Sequence, residues 1–559
     1  MLATTLFDFL THCSLAFPEC DFIVSNDTRI TFSSFSTHVN RLAAGFAFLG
    51  LKRGDRIAIM LPNLPQFPIV YYALLKLGVW VVPINVLFKE AEIQQVIHDS
   101  EVDGFIAWEG FSRSLLPAVA ELKKCRLHVF WGENIPPNAI DLKRLIATSL
   151  KRFELTDDVG NIAVDPADPA VVLYTAGATG PPKGAVLSYE NLAATVLACW
   201  KNFAISQGDR FLAVVPLFHF LGQMMAIHLP LAAGATTFLL PRFDPREVVV
   251  TIAKEKITHY IAVPSMLPAI LHFNPEPALL ASLKCCIVGG GTLPGKVRDE
   301  FEERYSVSIY EGYGLAECGP FVTAFNATTR RSPERACSVG TSLPGLEAAI
   351  FNDAGGQVPD GRVGEIFVRA PWAIQGYLQD GQISKPSLRD NWLATGDLGM
   401  MDGDGYLFWI ERKADVLYKA GFPIYPSEVE AFLLLHPNVE ECAVIGVADR
   451  VYGEEVKAFV VLRPNQQATK EEVLIFCKQS LAPYKCPQHV EFRESLPRSV
   501  TGKVLKYLLR EQRPAPAAEQ SVANQTAKQN DATAFEEKIL PEAVPNENEQ
   551  TDMTGEVRS

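Results

Sequence analysis

The stretch of this chain with the most chemistry on it runs from Val171 to Val186, Val-Val-Leu-Tyr-Thr-Ala-Gly-Ala-Thr-Gly-Pro-Pro-Lys-Gly-Ala-Val. Its apolar opening, Ala170 to Tyr174, predicts a buried strand. The strand breaks into a loop that carries Gly177, Gly180 and Gly184 together with Thr175, Thr179 and Lys183. Glycines let backbone N–H groups approach phosphate oxygens, threonine hydroxyls donate further bonds, and a lysine adds a mobile positive charge. The pattern therefore points to phosphate binding. It is not a Walker loop, because no Gly-Lys-Ser/Thr follows a four-residue gap after the first glycine. A plain surface turn after a strand is the competing reading.

Stepping outward, a chain of 559 residues exceeds what one core supports, so two or more domains are expected. Hydrophobic residues make up 48% and charged residues 21%, a balance that fits a globular enzyme and excludes a fibrous or largely disordered chain. The net charge of −13 argues against a nucleic-acid partner. Eleven cysteines without CxxC spacing, two of them adjacent at Cys285 and Cys286, are expected to be reduced core thiols of a cytoplasmic protein. The start, Met-Leu-Ala-Thr-Thr-Leu-Phe-Asp, has no basic leader, so no signal peptide is expected. The most membrane-like window, Phe218 to Leu240, is interrupted by His219, Gln223, His228, Pro230 and Gly234. It predicts a buried helix, a glycine stop and a strand, not a span. Peripheral contact with a bilayer is left open.

The elements that must position the loop alternate. Arg56 to Met60 reads as a strand, Gln66 to Gly78 as a helix ended by glycine, and Val79 to Pro83 as a strand, which implies βαβ units and a mostly parallel sheet. Ser188 is placed to cap a helix with Leu192, Val196, Leu197 and Trp200 on one face. Val263 to Met266 opens another helix, and Cys285 to Val288 is a buried strand running into Gly289, Gly290 and Gly291. Asp402-Gly-Asp-Gly405 superficially suggests calcium but lacks the remaining loop ligands, so a hairpin turn is expected. From Gln512 onward the chain turns to Pro, Ala, Gln, Asn and Glu, which predicts a disordered tail, with one short helix at Phe535 to Leu540.

Tyr174 to Gly184 resembles the phosphate loop of the adenylate-forming superfamily, which includes the acyl-CoA synthetases, aryl-CoA ligases and luciferases and in which the usual sequence is Tyr-Thr-Ser-Gly-Thr-Thr-Gly-x-Pro-Lys-Gly. Alanines stand at 176 and 178 where that pattern has hydroxyls. Further matches occur in order: Pro216-Leu-Phe-His219, Ile309 to Glu317, Trp392 to Asp397, Glu411 to Asp415, Phe422 to Glu430, and Pro497 to Lys503. Ala316 replaces a further threonine, and Ala414 a hinge Asp or Lys.

The resemblance implies an α/β fold, with a large domain over residues 1–412 made of mostly parallel subdomains plus a β-rich segment, a small mobile α+β lid over 413–511, and a tail over 512–559. It implies ATP-dependent conversion of a carboxylic acid to acyl-AMP and then to a CoA thioester, with Mg²⁺. By position, Thr175, Gly177, Thr179, Gly180 and Lys183 would hold the β- and γ-phosphates and Glu317 the Mg²⁺. Gly290, Gly312 and Tyr313 would face adenine, and Asp397 and Arg412 would hold the ribose. His219 would position the carboxylate; read alone, a histidine after a strand is usually structural. Lys503 would stabilise charge at the α-phosphate, and Gly421 would enter for the thiol step. A medium- or long-chain fatty acid is the favoured substrate, on the apolar composition of Phe218 to Ile227. An acyl-AMP ligase loading a carrier protein and a degenerate adenylate-binding homologue are the alternatives, the second motivated by the alanines. The expected partners are small molecules, with a homodimer left open.

Overall fold

The parallel strands of this chain are short runs of residues buried on both faces, such as Gly104–Trp108, His259–Ala262 and Cys285–Val288, so they can exist only where helices cover both sides of a sheet. In the computed structural model, which describes residues 4–152, 164–175, 182–329, 331–386, 388–479, 481–498 and 504–511, they assemble into two nine-stranded sheets. The first contains Arg56–Met60, Trp80–Pro83 and Pro169–Thr175; the second contains Arg210–Ala213, His259–Ala262 and Cys285–Val288. Both are parallel through the middle and extended by antiparallel strands at an edge. Those antiparallel additions carry most of the chemistry.

In the first sheet, Pro169–Thr175 turns back antiparallel into Lys183–Ser188, with Thr175 opposite Lys183 and Tyr174 opposite Gly184. Gly376–Gln379 then pairs with the outer side of Lys183–Ser188, although it lies far along the chain. In the second sheet, Ser308–Leu315 runs parallel beside Cys285–Val288. It then continues as one arm of a hairpin with Gly319–Ala324. The strand carries Tyr313 within it, and Glu317 lies in the turn.

A five-stranded antiparallel sheet follows, containing Glu347–Phe351, Gly364–Arg369, Trp392–Met401 and Leu407–Arg412. Asp397 lies inside the ten-residue strand Trp392–Met401, just after Gly396 at φ +72° and beside register shifts on both flanks. A glycine tolerates that left-handed geometry, and the irregularity aims the aspartate. Asp402 to Gly405 is the expected hairpin turn: Asp402 accepts from the backbone N–H groups of Asp404 and Tyr406.

The smaller C-terminal domain is a second five-stranded sheet, including Val439–Asp449 and Gly453–Leu462, covered by helices Pro426–Leu433 and Lys470–Lys478 over a core of Val429, Leu433, Val444, Val456, Val460 and Val473. The helix from Tyr189 to Phe203 is capped by Ser188 as expected, but its most buried positions include Leu192, Ala193, Val196 and Cys199, with Leu197 and Trp200 only half-buried. The window from Phe218 to Leu240 folds as helical turns from Phe220 to Ala233, a left-handed Gly234 and the strand Thr236–Leu239. Among the described residues no helix is long and apolar enough to cross a membrane. Most cysteines are buried and all are free thiols, but Cys20 and Cys337 are exposed, so the core assignment does not hold for those two.

Candidate active site

Two clusters of side chains form where the antiparallel additions meet. The first joins Lys183, at the start of its strand, to Glu317 through a residue the sequence did not single out. The Lys183 ammonium lies 5.6 Å from the ring centre of Tyr377, and the Tyr377 hydroxyl donates to Glu317 Oε1 at 3.0 Å. Glu317 is further fixed through its backbone carbonyl, which accepts from the Ile374 N–H at 2.9 Å. Gly184 must be glycine for packing reasons: a Cβ there would stand 2.8 Å from Val172 Cγ1 and 3.0 Å from the Tyr174 ring. Thr175 closes the strand before the loop. Gly177, Thr179, Gly180, Ala176 and Ala178 lie outside the described residues, as do Lys503 and the tail from 512.

The second cluster comprises Tyr313, Asp397 and Arg412. Tyr313 donates its hydroxyl to Asp397 Oδ2 at 2.7 Å, and Arg412 lies opposite Asp397 in the ladder. The Arg412 Nε stands 3.1 Å from Oδ1 but outside hydrogen-bonding direction, so Oδ1 is a buried carboxylate oxygen with no hydrogen bond. Arg412 spends a different N–H on the Thr395 carbonyl, and Thr395 Oγ1 accepts from the Asp397 N–H. A buried acceptor in this state costs free energy until a donor reaches it, and it suits a hydroxyl-bearing ligand. Burial raises the Tyr313 phenol well above its ordinary value, with the charge of Asp397 acting in the same direction, so it stays a donor.

Tyr313 and Glu317 share one hairpin, and Phe321 on its second arm ties that hairpin to the glycine corner. A Cβ at Gly289 would meet the Phe321 ring at 2.9 Å, and one at Gly312 would meet it at 2.4 Å and the Thr323 carbonyl oxygen at 2.6 Å. Gly312 is thus required by strand packing. Gly290 is different: its φ is +85°, and a Cβ would meet only Val263 Cγ1 at 3.8 Å, which leaves one face of the backbone open.

His219 caps the first helical turn after the strand Arg210–Ala213, its Nδ1 accepting from the Leu221 N–H at 3.3 Å. Accepting at Nδ1 places the proton on Nε2. Burial lowers its pKa to about 4, so near neutral pH it is an uncharged N–H donor and not a base.

Gly421 sits at the tip of the hairpin between Leu417–Lys419 and Phe422–Ile424, where Ala420 and Gly421 both have positive φ, +50° and +82°. Gly421 belongs to neither cluster. The short turn Lys413–Asp415 is bracketed by Glu411, which accepts from the Ser427 N–H at 2.8 Å, and by an Asp415–Arg510 ion pair at 2.6 Å. Among the described residues there is no group of three or more His, Cys, Asp or Glu side chains gathered for a metal, so Glu317 would hold a cation as a single carboxylate beside phosphate oxygens, an arrangement that suits Mg²⁺.

Comparison with known proteins identifies the family. A family profile described as "AMP-binding enzyme" matches residues 11–378, and one described as "AMP-binding enzyme C-terminal domain" matches 428–503. The chain belongs to the AMP-binding, adenylate-forming enzyme family. It is an acid–thiol ligase that works through an acyl-adenylate, with ATP and CoA as the co-substrates expected of the family. A long-chain-fatty-acid–CoA ligase of Bacillus subtilis is 33% identical over 541 residues, spanning 91% of this chain and 94% of its own. A feruloyl-CoA synthase of Amycolatopsis is 31% identical over 490 residues, spanning 88% of this chain and 95% of its own. Among solved structures, ATP-bound MatB from Rhodopseudomonas palustris superposes with a TM-score of 0.81 at 26% identity, over 91% of this chain and 99% of its own. The anthranilate CoA ligase AuaEII in complex with anthranoyl-AMP gives 0.81 at 25% identity, over 90% and 96%.

The sequence reading missed Tyr377 and Asp99. Asp99 accepts from the Tyr174 hydroxyl at 2.5 Å, at the root of the phosphate loop. Neither residue stands in a glycine-rich or charged motif, and only the sheet pairing reveals them.

Proposed function

We propose that this enzyme activates a medium- or long-chain fatty acid to its adenylate and transfers the acyl group to CoA. The observation that carries the adenylate half is the buried, unbonded Asp397 Oδ1 beside Arg412 and Tyr313, an acceptor waiting for a ribose hydroxyl. The fatty half is supported by the segment after His219: Met224, Met225, Ala226 and Ile227 are all fully buried, and several relatives are named for long-chain fatty acids. Relatives named for feruloyl and coumarate substrates are about as similar, so the acid is what an experiment must fix.

In this reading Asp397 and Arg412 hold the ribose, the Tyr313 ring lies against adenine, and the open face of Gly290 admits the ring edge. Lys183, with the loop before it, neutralises the β- and γ-phosphates, and Glu317 holds Mg²⁺, whose chemistry when bound is to spread the charge that develops on the phosphates. His219 donates from Nε2 to the acid's carboxylate. Lys503 enters from the small domain to stabilise charge at the α-phosphate as the carboxylate attacks and pyrophosphate leaves. We divide the chain at 412/413, so that the small domain turns about Lys413–Asp415, withdraws Lys503 and presents Gly421 for thiol attack. Site roles, the division, Mg²⁺ and a cytoplasmic setting are parts of this one proposal.

The test is mass-spectrometric product detection with purified protein, ATP, Mg²⁺ and a panel of carboxylic acids, with and without CoA. Acyl-CoA plus AMP from one aliphatic chain-length class is expected. Adenylate without thioester in the presence of CoA would instead make it a carrier-protein ligase, and turnover of aryl acids alone would overturn the fatty assignment.

A further inference from the structure

The Tyr377 hydroxyl links the two nine-stranded sheets beside Lys183. Tyr377 belongs to the first nine-stranded sheet, where it lies opposite Ala185 in the ladder; Glu317 belongs to the second, in the turn of its terminal hairpin. Lys183 and Glu317, the two charged groups of the first cluster, therefore sit on different sheets, and the phenol touches both: oxygen to Glu317 Oε1 at 3.0 Å, ring to Lys183 Nζ at 5.6 Å.

The strand that carries Tyr377 is pinned on both sides of it. Before it, the Ile374 N–H donates to the Glu317 carbonyl and the Gln375 N–H to the Val186 carbonyl, both at 2.9 Å. Beyond it, Asp99 receives the Asp380 N–H on Oδ1 at 2.9 Å and the Gly381 N–H on its carbonyl at 2.9 Å, while Arg56 donates to the Gly381 carbonyl at 2.7 Å. The same Asp99 takes the Tyr174 hydroxyl on Oδ2, so the strand bearing the phenol and the strand entering the phosphate loop share one anchor. A phenol held in this way has little freedom, and the carboxylate it grips is oriented in advance.

We propose that Tyr377 is a positioning residue for cation binding: its hydroxyl occupies Glu317 Oε1 and so would leave Oε2 for a cation, while its ring lies against the Lys183 ammonium. This rests on the adenylation reading above. Mg²⁺ tolerates little departure from octahedral geometry and is usually held by one or two carboxylates with phosphate oxygens, so a single carboxylate gains most from being fixed beforehand. The sequence adds a reason: Ala316, next to Glu317, offers no hydroxyl to organise it.

The experiment compares wild type, Tyr377→Phe, Glu317→Asp and the double variant. ATP–pyrophosphate exchange is measured against free Mg²⁺, and Mn²⁺ binding to the enzyme–ATP complex is followed by electron paramagnetic resonance. Loss of a charge-assisted bond should raise the half-saturating Mg²⁺ and the Mn²⁺ dissociation constant about tenfold in Tyr377→Phe, with KM for acid and CoA changed less than about twofold. Glu317→Asp both retracts the carboxylate from the phenol and moves the metal ligand, so it should give a larger rise, and adding Tyr377→Phe to it should change little more, because the contact the phenol makes is already broken. Unchanged metal dependence in Tyr377→Phe, or losses that multiply in the double variant, would overturn the proposal. If Tyr377→Phe does not fold, as read by its thermal transition, Tyr377→Leu is measured in its place and read the same way: a rise in half-saturating Mg²⁺ supports the proposal and no change overturns it. If wild type makes no acyl-adenylate, the adenylation reading fails, and the Mn²⁺ measurement still decides the positioning claim.

Discussion

Arg412 stands directly across the ladder from Asp397, with its Nε 3.1 Å from an oxygen that accepts no hydrogen bond, while Tyr313 occupies the other oxygen at 2.7 Å. One oxygen is thus bonded within the protein, and in the proposed reading the other takes a ribose hydroxyl. Asp397→Asn should leave the Tyr313 contact intact but replace an anionic acceptor by a neutral one. KM for ATP should rise by about 10- to 100-fold, with KM for the acid nearly unchanged, in steady-state kinetics. An equal rise for both substrates would remove Asp397 from the ribose.

Lys503→Ala should abolish acyl-adenylate formation while sparing thioester formation from chemically supplied acyl-adenylate. The reason is separation of tasks: charge at the α-phosphate matters while pyrophosphate leaves, and not when a thiol attacks the finished adenylate. Single-turnover assays of the two half-reactions check it, and equal loss of both would refute the assignment.

Acid sensitivity follows from three histidines. Burial lowers His219 to about 4, His228 to about 3 and His259 to about 4. A depressed histidine is neutral in the folded protein and takes up a proton in the unfolded chain below about pH 6.5. The stabilisation is therefore complete above pH 6.5 and is lost as pH falls from there toward 4. Each group should give up about 2 kcal/mol between pH 7 and pH 5. Urea midpoints should drop over that window, and His228→Gln, which removes a histidine bonded to the Tyr72 hydroxyl, should flatten the drop. A midpoint independent of pH between 7 and 5 would contradict this.

Restoring hydroxyls at the site with Ala178→Thr and Ala316→Thr together should raise kcat/KM for adenylation by less than about tenfold, because backbone N–H groups and water substitute for side-chain donors in phosphate loops. A rise of several hundredfold would mean that the native enzyme is largely degenerate.

Much of this was legible in the chain. Buried β-branched runs such as Ala170 to Tyr174 and Cys285 to Val288 marked the parallel strands, Ser188 marked a helix start, and Gly78 and Gly234 marked helix ends. Local chemistry fixes such features. Asp397 and Arg412 could be nominated from motifs, but not their pairing, because a ladder register depends on a bulge at Gly396 that has no periodic signal. Tyr377 and Asp99 were invisible for a stronger reason: each gains its meaning from a strand that joins the sheet from far along the chain, and neither type nor spacing announces a partner more than a hundred residues away from Tyr377 or seventy-five from Asp99.

The late arrival of Gly376–Gln379 beside Lys183–Ser188 also has a history in time. The ribosome delivers Lys183–Ser188 long before the strand that will cover it, and at roughly 5–20 residues per second the interval is about 10–40 s. During that interval an apolar strand, buried at five of its six positions in the finished protein, has an uncovered edge of backbone donors and acceptors. The segment that ends up bearing Lys183 is therefore one that waits uncovered in the nascent chain. Protection of that edge during synthesis becomes a condition for obtaining active enzyme.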